Sequence, residues 1–188
     1  MRKTILALLF VALFTLGACS NKEHAMELMA EIRATLTDTQ KITAVANIRA
    51  DYSDRVFDFQ IKFQGSEAAG EIDIIKPESL AGVVVRVSKN GAALVYDGAE
   101  IDTGELAGEL SPVGIIPMLI NEWKNGFTDF TVSEKRGSER TLLMSSTLPG
   151  GATQKTWFEE KSGLPVRAEV MASGYTVLTI EFENIIYE

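Results

Sequence analysis

Between Phe57 and Phe63 the chain alternates strictly, with Phe57, Phe59, Ile61 and Phe63 set against Asp58, Gln60 and Lys62. Such a period of two puts every large apolar side chain on one side of an extended backbone and every polar one on the other. A strand of this kind must lay an aromatic face on something and leave its reverse face wet, so it demands a sheet with one covered side. The same period recurs at Ile42 to Asp51, Gly70 to Ile75, Gly82 to Ser88 and Ala92 to Asp97. It returns at Phe127 to Ser133, Arg140 to Thr147, Gln154 to Glu160, Val166 to Ala172 and Tyr175 to Glu183, which gives about ten strands. Asn90-Gly91, Asp97-Gly98 and Ser173-Gly174 tolerate the positive φ of tight hairpins, so neighbouring strands pair as antiparallel meanders.

Two segments break the period. From about Lys22 to Leu36, Ala25, Leu28, Met29, Ile32 and Leu36 share one face at helical spacing, and Ser20 with Glu23 fits a capping box. The second lies between Ser111-Pro112, a helix start, and Gly126, a stop. Its Val113, Ile115, Ile116, Met118, Leu119, Ile120 and Trp123 cover well over half the circumference, too wide for a helix with one wet side. Pro117 offers no N–H to Val113 and biases Ile116 away from helical angles, so a break followed by a helix from about Pro117 to Lys124 is expected.

These segments define an α+β fold: a curved antiparallel sheet with an N-terminal helix and an inserted apolar helix on its concave side. The candidate ligand site is apolar, with Phe57, Phe59, Ile61 and Phe63 of the sheet facing Ile116, Leu119, Ile120 and Trp123 of the inserted helix, and Pro117 as its hinge. Two readings stay open. The eight side chains line a pocket for an acyl chain, or they fill a closed core.

The N-terminus carries an address. Arg2 and Lys3 precede an uncharged apolar run from Ile5 to Leu16, and Leu16-Gly17-Ala18 brings small residues to a cleavage position ahead of Cys19. The run is shorter than the roughly 20 residues that span a bilayer, so residues 1–18 read as a removed signal and residues 19–188 as one domain. Leu16-Gly17-Ala18-Cys19 resembles the lipobox of bacterial lipoproteins, which implies a diacylglycerol on the Cys19 sulfur. A protein held this way belongs to the cell envelope, on the outer face of the plasma membrane or on the outer membrane where the cell has one. Because Cys19 is the single cysteine, no internal disulfide contributes to stability.

Removing the two basic residues of the signal from 18 leaves 16 against 26 acidic ones, a net charge of about −10, which disfavours nucleic acid as a partner. Catalysis has little to draw on. His24, the single histidine, reads as a solvated residue in the first helical turn and Cys19 is taken by lipid, so neither a Ser-His-Asp nor a Cys-His arrangement is supported. Asp97, Glu100, Asp102 and Glu105 lack the spacing of a calcium loop and read as a solvated hairpin edge. The expectation is a non-enzymatic protein without cofactor or metal.

Gly70-Glu71-Ile72-Asp73-Ile74-Ile75-Lys76-Pro77, Ala92 to Gly98, the apolar stretch Ser111 to Ile120 as lid, and Trp157-Phe158 through Leu164-Pro165 to the last hairpin together resemble the periplasmic lipoprotein carrier and its outer-membrane receptor, the LolA and LolB families. Pro77-Glu78-Ser79-Leu80-Ala81-Gly82 and Ser111-Pro112 are similar to uncharacterised and germination-type lipoproteins of clostridia-like bacteria. The resemblance implies a half-barrel that binds an acyl chain or lipidated partner in its concave face. The alternative is an envelope protein-interaction module in assembly, sensing or a sporulation-type process, with a closed core and no lipid ligand. Carriers place arginine before the strand-ending proline to hold the lid. This chain has Lys76, which lacks the planar fork.

Overall fold

The computed structural model describes residues 22–88, 91–104, 110–137 and 139–188. The signal, Cys19 and Ser20 lie outside them. The first helix, α1, spans residues 22–38 and turns Ala25, Met29, Ile32 and Leu36 inward, the stripe its spacing predicts.

Six strands follow: β1 (Ile42–Asp51), β2 (Val56–Gly65), β3 (Gly70–Lys76), β4 (Val84–Ser88), β5 (Gly91–Tyr96) and β6 (Ala99–Gly104). Helix α2 (Ile115–Asn125) intervenes before β7 (Phe130–Arg136), β8 (Glu139–Thr147), β9 (Thr153–Glu159), β10 (Pro165–Ala172) and β11 (Tyr175–Tyr187). All eleven form one antiparallel sheet in the order β6-β5-β4-β3-β2-β1-β11-β10-β9-β8-β7, a half-barrel that does not close. The first and last strands therefore pair at the centre, and the two free edges are β6 and β7.

That order dictates where α2 sits. The chain leaves the sheet at one outer edge and re-enters at the other, so the β6–β7 connection has to travel the width of the sheet. An apolar helix in that connection can bury its wide greasy surface only by crossing the concave face. One continuous core results, joining α1, α2 and the inward residues of both meanders. At its centre β1 turns Ala44, Ala46 and Ala50 inward beside Ile42 and Ile48. The small side chains leave depth that the helices occupy.

The hairpin chemistry falls where the sequence places it. Tyr96 pairs with Ala99 and Ala172 with Tyr175. Each two-residue link then needs two positive φ angles, supplied by Asp97 (48°) with Gly98 (78°) and by Ser173 (52°) with Gly174 (83°). Several expectations need correction. Among the described residues there are eleven strands, the extra one being β6, which the sequence presents as a solvated hairpin edge; its Glu100, Asp102 and Gly104 alternate with Ala99, Ile101 and Thr103, but the single large apolar residue, Ile101, lies exposed on an outermost strand. Strand β7 starts at Phe130, three residues later than expected, because Phe127 is left in the connection.

Helix α2 is unbroken and begins at Ile115, before Pro117. Pro117 is its third residue, where the missing N–H is one of the four that no helical carbonyl reaches in any case. Burial of Ile115 and Ile116, each 1 % exposed or less, holds them helical despite the following proline.

Candidate functional site

Six of the eight predicted site residues meet in the interior. Ile61 and Phe63 from β2, with Ile116, Leu119, Ile120 and Trp123 from α2, are all essentially without solvent contact and belong to the same core. Trp123 stands edge-on to Phe158 of β9 and Phe182 of β11, with ring centroids 5.6 and 5.8 Å away, a favoured aromatic geometry. The other two, Phe57 and Phe59, lie on the same face of β2 but beyond the roof that α2 provides. Phe57 is 42 % exposed and Phe59 half-buried. Tyr52 joins them, its ring 6.3 Å from Phe57, which in turn is 6.4 Å from Phe59. The Tyr52 hydroxyl donates to the carbonyl of Leu110, on the approach to α2, at 2.9 Å. The aromatic face of β2 is thus roofed at one end and open at the other.

What fastens the roof is polar and was not anticipated from the apolar pattern. Beneath α2 the inward positions of β8 and β9 include Ser146, Gln154 and Thr156, all fully buried. The Trp123 indole donates to the Thr156 hydroxyl at 2.9 Å, that hydroxyl donates to Gln154 Oε1 at 2.7 Å, and Gln154 Nε2 donates to Ser146 Oγ at 2.9 Å. Ser146 also meets the carboxyl of Glu122, a buried acid on α2. Burial pushes the Glu122 carboxyl above its usual range, and the Ser146 hydroxyl and the charge of Arg33 partly offset this.

Two cations complete the fastening. Arg33 on α1 donates through Nε to the Trp123 carbonyl at 3.2 Å and through Nη2 to the Gly126 carbonyl at 2.5 Å and Thr128 Oγ1 at 2.8 Å. It thereby satisfies carbonyls at the C-terminal end of α2, where positive charge also suits the helix dipole. Lys124 bridges α2 to the carbonyl of Thr39 at 3.2 Å and to Glu67 at 3.1 Å, with its side chain only 9 % exposed. A planar fork does hold α2, then, but it comes from Arg33 on α1 and not from the position before the strand-ending proline. By contrast, the N-terminal half of α2 is held through Ile115, Ile116, Leu119 and Ile120, by apolar contact.

The sequence contained a usable signal for the network. Ser146 shares the parity of Leu142 and Met144, and Gln154 and Thr156 share that of Phe158. Three polar residues at inward positions of a sheet require partners; the indole and carboxyl of α2 supply them for Thr156 and Ser146, and Gln154 is held between those two. Elsewhere the outer face of the sheet carries solvated charge ladders, such as Arg86 between Glu71 and Glu100. His24 is exposed on α1. Among the described residues no group of three or more histidine, cysteine or acidic side chains is placed to hold a metal ion, and no helix is long and apolar enough to cross a membrane.

No protein-family model matches the chain, and no curated protein matches it in sequence. Solved structures do. An uncharacterized conserved protein from Thermus thermophilus superposes with a TM-score of 0.52 at 8 % identity, over 88 % of each chain, which shows a shared fold. A LolA superfamily protein from Nitrosomonas europaea gives 0.46 at 11 % identity, over 89 % of this chain and 94 % of that one. A chain of the complex between the CwlD amidase and the GerS lipoprotein from Clostridioides difficile gives 0.48 at 12 %, over 87 % and 95 %. A LolA superfamily protein and a lipoprotein complex are thus among the structures to which this chain is similar.

Proposed function

We propose that this chain is a non-enzymatic envelope lipoprotein, made with a signal at residues 1–18, anchored by lipid on Cys19, whose half-barrel is a closed docking platform for another envelope protein. The observation that carries the reading is the seating of α2. Its apolar surface already fills the concave face at Ile61 and Phe63, and its C-terminal half is tied down by Arg33, Glu122, Trp123 and Lys124. An acyl chain could enter that space only by displacing the helix. Displacement would strand Ser146 and Thr156 without their α2 partners, Glu122 and Trp123, a cost on top of the apolar surface returned to water.

A second reading keeps an acyl chain or lipidated segment as ligand, and one observation favours it: Tyr52, Phe57 and Phe59 form an aromatic line open to solvent at the unroofed end. Here the N-terminal half of α2, with Pro117 in its first turn, would shift while the fastened half stayed.

A fluorescent fatty acid titrated into the chain lacking residues 1–19 separates the two. The closed platform leaves the probe unbound; saturable one-to-one binding that is lost on Phe57→Asp substitution establishes the second reading instead. The anchor is tested apart from this. Cys19→Ala should move the protein from the membrane to the soluble fraction with its circular dichroism spectrum unchanged, and continued membrane residence would contradict lipidation.

A further inference from the structure

We propose that the corner of the domain beside the anchor, where Met26, Phe127 and Phe130 are exposed, rests in the bilayer surface and sets the orientation in which the platform is presented. The inference rests on the reading that Cys19 carries the lipid. Lys22, the first described residue, is three residues from Cys19, so the link can reach no more than about 10 Å. Met26 lies one helical turn further on, about 6 Å along the axis. Whatever surface surrounds the start of α1 is therefore held against the membrane permanently.

That surface is apolar where it needs to be. A groove of about 430 Å³ separates α1 from the start of β7, lined by Met26, Met29 and Ala30 on one side and Phe130 on the other. Met26 is 58 % exposed, Phe130 47 % and Phe127 83 %. Phe127 adjoins Thr128, which Arg33 ties to α1, so the link from α2 to β7 is fixed at this same corner. Phenylalanine and methionine left in water beside a lipid anchor lose that exposure on entering the acyl-headgroup boundary.

Charge does not supply the attraction. Lys22 and Arg33 line the groove, but Arg33 is committed to the carbonyls of Trp123 and Gly126, Asp129 lines the groove too, and Glu23 and Glu27 share the first turns of α1. Contact should therefore occur on neutral phosphatidylcholine and survive salt. The lipid supplies the affinity, and the corner supplies the orientation.

The test uses the mature chain from Cys19, whose single thiol is coupled to a maleimide-headgroup lipid in phosphatidylcholine vesicles. The chemical anchor separates the inference from lipidation in the cell, which the Cys19→Ala fractionation tests on its own. Phe127→Trp and Phe130→Trp variants are compared with Ile101→Trp, at the opposite sheet edge on β6, on vesicles whose bulk phosphatidylcholine carries brominated acyl chains. The expected result is a loss of about half the added emission for the first two, an interfacial depth at which tryptophan resides, and none for Ile101→Trp. No quenching at either corner position with coupling complete overturns the inference, whether the groove is then filled by the anchor's own chain or reserved for a protein. Equal quenching at all three positions overturns it as well, because the domain would be tumbling on its tether.

Discussion

Arg33→Met removes the fork that ties α1 to α2 while keeping the aliphatic stem against its neighbours. Three donations are lost, to the carbonyls of Trp123 and Gly126 and to the Thr128 hydroxyl. Hydrogen bonds from a charged donor contribute about 1.5–3 kcal/mol each at most, and a cation at a helix C-terminus adds about 0.3–1 kcal/mol. Because Arg33 is only part-buried, water recovers a share of this, and the net loss should come to about 3 kcal/mol. For a domain of this size 1 kcal/mol moves Tm by about 2–4 °C, so the midpoint should fall by about 6–12 °C. Arg33→Lys keeps the charge without the planar fork and should fall between the two. Urea unfolding followed by circular dichroism measures both, with the m-value expected to hold. A loss below about 1 kcal/mol for Arg33→Met would refute the claim that this residue fastens the helix, and with it the physical basis for a closed concave face.

Two further outcomes follow from the same contacts. Glu122 has its carboxyl pushed up by burial, so between the ordinary carboxylate range and its raised value the folded state holds more protons than the unfolded one. Stability then falls as pH rises through that window. Glu122→Gln should match the parent in acid and exceed it at neutral pH, and thermal melts showing a pH-independent difference would contradict the assignment. Pro117→Ala should shift Tm by less than about 2 °C, since the residue occupies a position where its missing N–H costs nothing; a large change in either direction would mark Pro117 as more than a first-turn residue.

The parts of this architecture that sequence reveals are those governed by local period. Alternation at Phe57 to Phe63 and the helical stripe from Ala25 to Leu36 appear as expected because each element buries one face only. Asp97-Gly98 and Ser173-Gly174 turn where they should because few other pairs accept two positive φ angles. Periodicity could not decide whether Ile61, Phe63 and Trp123 enclose a pocket or a core, since both put the same residues inward. The answer lies in contacts between residues distant in sequence: Arg33 meets Trp123 across 90 positions, and Trp123 meets Thr156 across 33. Pro117 misled as a helix break because local bias at Ile116 is outweighed by burial of Ile115 and Ile116 in the completed core. Strand β6 was hidden for the opposite reason. As an edge strand it is exposed at Ile101 and acidic at Glu100 and Asp102, so its sequence looks like a solvated hairpin edge and not like a strand with a face to bury.

Amide hydrogen exchange along α2 tests the central claim most directly. If the helix is a permanent roof, the amides of Leu119, Ile120 and Trp123 should open only with the whole domain, giving exchange free energies equal to the global stability from urea unfolding. Exchange of those amides through a local opening, several kcal/mol below the global value, would mean that α2 leaves its seat in the folded protein, and the closed platform would give way to a gated lipid site.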